Sequence, residues 1–153
     1  MEMKEFALIL SFFLFVFSAC EPDSQDDCNI NRNTPNNILE EELEIGFECL
    51  AEEDERETYF IKTQEEFEML FSDDCTTLPS VDFDEFDVLS LSSGASGCFQ
   101  DYQAYVRKDG IDYDCIIRVK ECGGCEPWVV RRHWLVVPNI PEVNNINFII
   151  ERL

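Results

Sequence analysis

The sequence predicts a mainly β domain of the α+β kind: an antiparallel sheet, sandwich or open barrel of about six to eight strands, with one short helix near residues 64–71. Three features carry that expectation. A long two-strand alternation surrounds Asp109-Gly110, short strand-like runs bounded by turn residues lie on either side of it, and a single helix start sits at Thr63. Each element follows from its own local pattern. Between Leu39 and Leu50, Leu43, Ile45 and Phe47 face one way while Glu42, Glu44 and Glu48 face the other, as in a half-buried strand. The acidic run 52–57 reads as a loop, and Thr58 to Ile61 as a second short strand. Thr63-Gln64-Glu65-Glu66 is then a capping box, in which the Thr63 hydroxyl reaches the Glu66 amide. Phe67, Leu70 and Phe71 recur at i, i+3, i+4, so a helix over Gln64–Phe71 lays one apolar face on a core before Ser72-Asp73-Asp74 stops it.

Beyond Pro79 the run Asp87 to Leu91 is strand-like and closes at Ser92-Ser93-Gly94. Tyr102, Ala104 and Val106 then alternate with Gln103, Tyr105 and Arg107. Asp109-Gly110 is a two-residue hairpin signal, since such turns need positive φ. On the return, Ile111, Tyr113, Cys115, Ile117 and Val119 share one face, with Asp112, Asp114, Arg118 and Lys120 opposite. A turn at Cys122–Cys125 leads to a strand over Trp128–Val137, and a last strand runs from Ile146 to Glu151.

The chain opens differently. Phe6 to Ala19 carries no charge, follows Lys4, and is shorter than the ~20 apolar residues a spanning helix needs, so it reads as the apolar region of a secretory signal. Phe17-Ser18-Ala19-Cys20 resembles a bacterial lipobox, with Phe17 where leucine is usual. That resemblance implies removal of residues 1–19 and lipidation of Cys20, whose acyl chains would anchor the protein to a membrane. From Glu21 to Asn37 the only large aliphatic residue is Ile30, so residues 20–38 read as a disordered acidic tether ahead of a single β-rich domain over 39–153. The acids just after Cys20 also resemble the signal that exports some lipoproteins to the outer face of the outer membrane, so the expected location is the outer membrane, on its periplasmic face or at the cell surface.

Charge narrows the partners. Residues 20–106 hold 24 acidic and 3 basic side chains, whereas residues 107–153 hold 7 of each. A nucleic-acid partner is excluded, because a polyanion would be repelled. The acidic runs 40–44 and 52–57 read as solvated faces. Eight cysteines in 153 residues suit an oxidising compartment. With Cys20 acylated and Cys28 in the tether, Cys49, Cys75, Cys98, Cys115, Cys122 and Cys125 are the candidate disulfide cysteines, in 15 possible pairings. Cys28 is then left for a partner chain or for a rearranged pairing with Cys49.

One family resemblance spans most of residues 58–150. Thr63–Phe71, Pro79-Ser80-Val81-Asp82-Phe83, Val88–Gly94, the long hairpin and His133-Trp134-Leu135-Val136-Val137-Pro138 follow one another as in the PrcB-type C-terminal domain of exported bacterial proteins. That family is associated with a spirochaete-type surface protease complex as a non-catalytic subunit. The resemblance implies an interaction module rather than an enzyme, with an exported protein as partner; the extra cysteines depart from its pattern.

Four motifs bear on chemistry. Cys122-Gly123-Gly124-Cys125 has the spacing of a redox pair, but Glu121 and Glu126 would raise a thiol's pKa, so a structural disulfide is the expectation and a redox or metal-handling lipoprotein the alternative. Zinc would need Cys122, Cys125 and His133 with Cys98 or Cys115, and no metal or other cofactor is expected. Asp82, Asp84, Glu85 and Asp87 have oxygen donors for calcium without the spacing of a calcium-binding loop. Arg131-Arg132 would join Arg118 and Lys120 in a basic face if their strands paired, though pairing with the protein's own acids is the expectation; His133, with no G-x-S-x-G elbow in the chain, reads as a strand residue at an edge or in a polar contact, and no catalytic residue is expected.

Overall fold

A computed structural model describes residues 28–45, 49–50, 58–71, 75, 78–124, 128–142 and 144–153. Cys20, Cys125 and the whole expected signal segment lie outside these residues. The described elements are β1 (Glu41–Leu43), β2 (Thr58–Ile61), α1 (Gln64–Glu68), β3 (Phe86–Ala95), β4 (Phe99–Asp109), β5 (Asp112–Cys122), β6 (Val129–Pro138) and β7 (Ile146–Arg152). They form a four-stranded sheet, β1-β6-β3-β2, and a three-stranded sheet, β4-β5-β7. The domain is mainly β, as its residue patterns imply.

Two apolar layers hold it together. Leu89, Leu91 and Ala95 of β3, with Leu135 and Val137 of β6, pack between the sheets against Val106, Tyr113, Cys115, Ile117 and Val119. The alternate residues Val88, Trp134 and Val136 face the other way and meet Phe67, Leu70 and Phe71 from α1 and the turn after it. The four-stranded sheet is thus covered on both faces, and Val88-Leu89 of β3 and Trp134 to Val137 of β6 are consecutive buried apolar residues for that reason. Phe67 sits at the centre of the second layer, its ring 5.0 Å from Phe71, 5.8 Å from Phe83 and 6.2 Å from Trp134.

The helix forms as its cap prescribes. Thr63 Oγ1 accepts from the Glu66 amide at 3.2 Å, and Glu66 Oε2 accepts from the Lys62 amide at 2.9 Å. The helix is shorter than Gln64–Phe71, because its last turn tightens into i→i+3 bonds from Leu70 to Phe67 and from Phe71 to Glu68. All three expected apolar residues are nevertheless buried.

Several expectations need correction. The hairpin turn is Gly110-Ile111, not Asp109-Gly110: Asp109 pairs with Asp112, and Gly110 (φ 65) takes the first central position, the place a type II′ turn gives to glycine. Ile111 is consequently a solvent-facing tip rather than a core residue. β7 pairs parallel to β5, so the three-stranded sheet is mixed. The link after β6 crosses from one sheet to the other and reaches β5 without the direct reversal that antiparallel pairing would need. β1 covers three residues instead of most of 39–50, because the chain changes sheets there: Ile38 donates to Val106 O at 2.8 Å in one sheet, and Glu40 donates to Val136 O at 3.0 Å in the other. Gly46 to Glu48 lie outside the described residues.

The largest departure concerns the stretch read as tether. From Cys28 onward it is packed on the body. Cys28 and Ile30 are buried, and Cys28 is bonded to Cys122 across 94 positions. The Ile30 amide donates to Asp101 Oδ2 at 2.7 Å, Arg32 pairs with Asp101 Oδ1 at 2.7 Å, and Asn37 Oδ1 accepts from the Val106 amide at 3.1 Å. Composition missed this because the segment is ordered by a covalent bond and polar contacts to β4, not by its own apolar content.

Candidate functional site

The in-register pairing of β3 with β6 and of β6 with β1 gathers the molecule's most chemically suggestive array. Leu91 lies opposite His133 and Ser93 opposite Arg131, so Ser93 and His133 share the face that looks between the sheets. Glu42, opposite Leu135, reaches the same face from β1. Ser93 Oγ lies 3.1 Å from His133 Nε2, and His133 Nδ1 lies 2.8 Å from Glu42 Oε1. A carboxylate accepts only, so Nδ1 carries a hydrogen toward Glu42, which leaves Nε2 facing the Ser93 hydroxyl. The His133 bond holds the Glu42 carboxyl below its ordinary value, with Arg131, 3.7 Å away, adding to the effect against the opposing influence of burial. The Tyr102 ring stands 5.6 Å from the imidazole with Arg131 stacked over it at 5.5 Å. The Tyr102 hydroxyl is buried and has no hydrogen-bond partner among the described residues.

In order and distances this is a hydroxyl, a base and an orienting acid. Access is what it lacks. Ser93 and His133 are each 1% exposed, so no acyl substrate can approach the hydroxyl without separating the sheets. As it stands the array is a polar strut that joins β1, β3 and β6 and satisfies a buried imidazole. The sequence leaves His133 at a strand edge or in a polar contact, and does not point to Ser93 or Glu42. Their proximity depends on strand register across residues 42, 93 and 133, which alternation alone cannot supply.

The cysteines pair differently from the expectation. Cys49 bonds to Cys75 and Cys122 to Cys28, and Cys98 is also held in a disulfide. The domain is disulfide-braced. Cys122 is therefore not joined to Cys125, and Cys28 is not left over. Among the described residues Cys115 is the cysteine that stays reduced; it points from the middle of β5 into the inter-sheet core at 0% exposure. Burial pushes its thiol up to about 12, which leaves almost no thiolate at neutral pH.

The metal hypotheses find no converging donors. Cys122 and Cys98 are spent in disulfides, His133 is engaged by Ser93 and Glu42, and Cys115 is enclosed in the core. Asp82 and Asp84 are exposed on a turn, where Asp82 Oδ1 accepts from the Asp84 amide at 3.1 Å. Asp87 points inward instead and accepts from the Ile140 amide at 2.6 Å, with Lys62 Nζ at 3.9 Å. Burial raises its carboxyl above the usual value. Among the described residues no group of three or more His, Cys, Asp or Glu could hold a metal ion. β5 and β6 belong to different sheets, so Arg131 and Arg132 do not join Arg118 and Lys120 in a basic face. Arg131 serves Glu42 and Tyr102, Arg132 stacks on Tyr59 on the opposite face, and Arg118 pairs with Glu151 at 2.8 Å.

No protein-family model, curated protein or solved structure matches this chain.

Proposed function

We propose that the chain is an exported lipoprotein, anchored through acyl chains on Cys20, whose disulfide-braced β domain has no catalytic role and works by binding another exported protein. The observation that carries this reading is the Cys28–Cys122 bond. Such a link persists in an oxidising compartment, and it fastens the body eight positions after the cysteine at which the sequence resembles a lipobox. Eight residues reach at most roughly 28 Å, so the domain would stand close to the lipid surface on a short leash. The closed Ser93–His133–Glu42 array supports a non-catalytic role, since its hydroxyl faces no opening. The PrcB-type resemblance of residues 58–150 points the same way, to a subunit that assists an exported assembly, located on the periplasmic face of the outer membrane or at the cell surface.

Cross-linking in living cells, followed by enrichment of this chain and identification of what accompanies it, tests the interaction. Reproducible capture of one exported protein supports the proposal; capture of nothing beyond abundant envelope proteins removes it. The alternative of a redox or metal-handling protein built on Cys122 and Cys125 loses support, because Cys122 bonds to Cys28.

A further inference from the structure

One flank of the sandwich is closed and the other is open. Residues 37–43 staple the first flank, bonding to β4 in one sheet and to β6 in the other. On the opposite flank β7 ends its sheet. Its register fixes which groups are free. Asn145 O accepts from the Tyr113 amide and the Leu153 amide donates to Val119 O, so the odd-numbered residues turn their backbone groups toward β5. Because these directions alternate, Ile146, Phe148, Ile150 and Arg152 turn their N–H and C=O groups outward, where no strand among the described residues pairs with them. The edge carries little of the usual protection: β7 reads INFIIER, with Ile150 41% exposed and Leu153 beyond it 62% exposed.

We propose that this edge pairs antiparallel with β7 of a second copy, two-fold symmetric about Ile149, to make a continuous six-stranded sheet from the two three-stranded ones. The sequence of β7 is self-complementary in that register. Phe148 meets Ile150 of the second copy, Ile149 meets Ile149, Asn147 meets Glu151, and Ile146 meets Arg152. The outward groups are the ones it needs. Phe148–Ile150 and Ile146–Arg152 become hydrogen-bonded pairs, and Ile149 falls at a non-bonded position, where side chains approach most closely. Charge favours a second copy at this place. The molecule as a whole repels itself, but residues 107–153, which include β5 and β7, hold 7 acidic and 7 basic groups. On β7 itself Glu151 is paired with Arg118 and Arg152 with Glu121, at 2.8 and 2.6 Å.

The test places Ile149→Cys in the full chain in living cells and reads a non-reducing gel. Cys115 is enclosed in the core and does not compete. The expected result is a reducible band at twice the chain's mass, absent for Asn147→Cys, which would face Glu151. A band at any other mass would identify a different occupant, and no band, or an equal band from Asn147→Cys, would overturn the register. Ile150→Pro provides an independent check, because it deletes an N–H that the single chain does not use, as edge strands tolerate. Added to Ile149→Cys, it should abolish the covalent dimer while leaving the melting temperature of the purified chain within a few degrees of the parent. A dimer that survives Ile150→Pro would refute pairing through this edge.

Discussion

Replacing Cys28 and Cys122 together by serine cuts a link between positions 94 apart, and its cost can be worked from chain geometry. In the loop-closure picture a bridge stabilises by restricting the unfolded chain. The Cys49–Cys75 bridge lies inside the loop and shortcuts 26 positions, so the effective loop is about 70 residues and the expected loss is about 4.4 kcal/mol. The inner bridge, taken alone, closes a loop worth about 3.5 kcal/mol. Against a total stability of roughly 5–15 kcal/mol for a domain, the outer loss is about three-tenths or more of what holds the protein folded. Buried Cys28 and Ile30 would also loosen, and with them the Asp101 contacts that hold the segment to β4. Urea unfolding of the full chain, followed by tryptophan fluorescence and compared with the double variant, measures the difference. Cys28→Ser alone should cost nearly as much as the pair. A loss below about 1 kcal/mol for the pair would refute the reasoning. So would a stable Cys28→Ser variant, because Cys122 would then have been bonded elsewhere.

Three further outcomes follow from single sites. Leu89→Ala, between the sheets at 0% exposure, should destabilise by about 2–5 kcal/mol in the same unfolding assay. Cys115 should stay unlabelled by a thiol reagent at pH 8 in the native chain and react at once in denaturant, as peptide mapping would show; native labelling would mean that the core opens. Glu42 has a carboxyl held low in the folded state, so its contribution is present above the ordinary glutamate value and is lost as pH falls through the depressed one. Glu42→Gln should therefore lower stability at neutral pH and flatten that acid limb in pH-dependent melting, and an unchanged acid limb would contradict the His133 bond as its cause.

Much of the fold was legible because it is locally determined. The capping box at Thr63 and the alternation through Tyr113, Cys115, Ile117 and Val119 depend on neighbours in sequence, and both appear where the pattern puts them. Thr58–Ile61 and the strands before and after the Cys122 turn are likewise where composition places them. What escaped depends on long-range geometry. The parallel pairing of β7, the change of sheet at residues 38–40 and the meeting of Ser93, His133 and Glu42 are decided by register between distant segments. Disulfide pairing is of the same kind: Cys122 and Cys125 are neighbours in sequence, yet Cys122 finds Cys28 because residues 28–38 lie along β4. The turn moved by one residue for a subtler reason. Only one of its two central positions adopts positive φ, and Gly110 takes it.

The central proposal is that fatty chains at Cys20 hold a braced sheet outside the reducing interior. Intact-mass and N-terminal peptide analysis of the protein purified from its native membrane tests this most directly. The expected result is a chain that begins at Cys20, carries acyl mass on that residue, and retains Cys28–Cys122 under non-reducing digestion. A chain that begins at any other residue, or an unmodified Cys20 thiol, would contradict it.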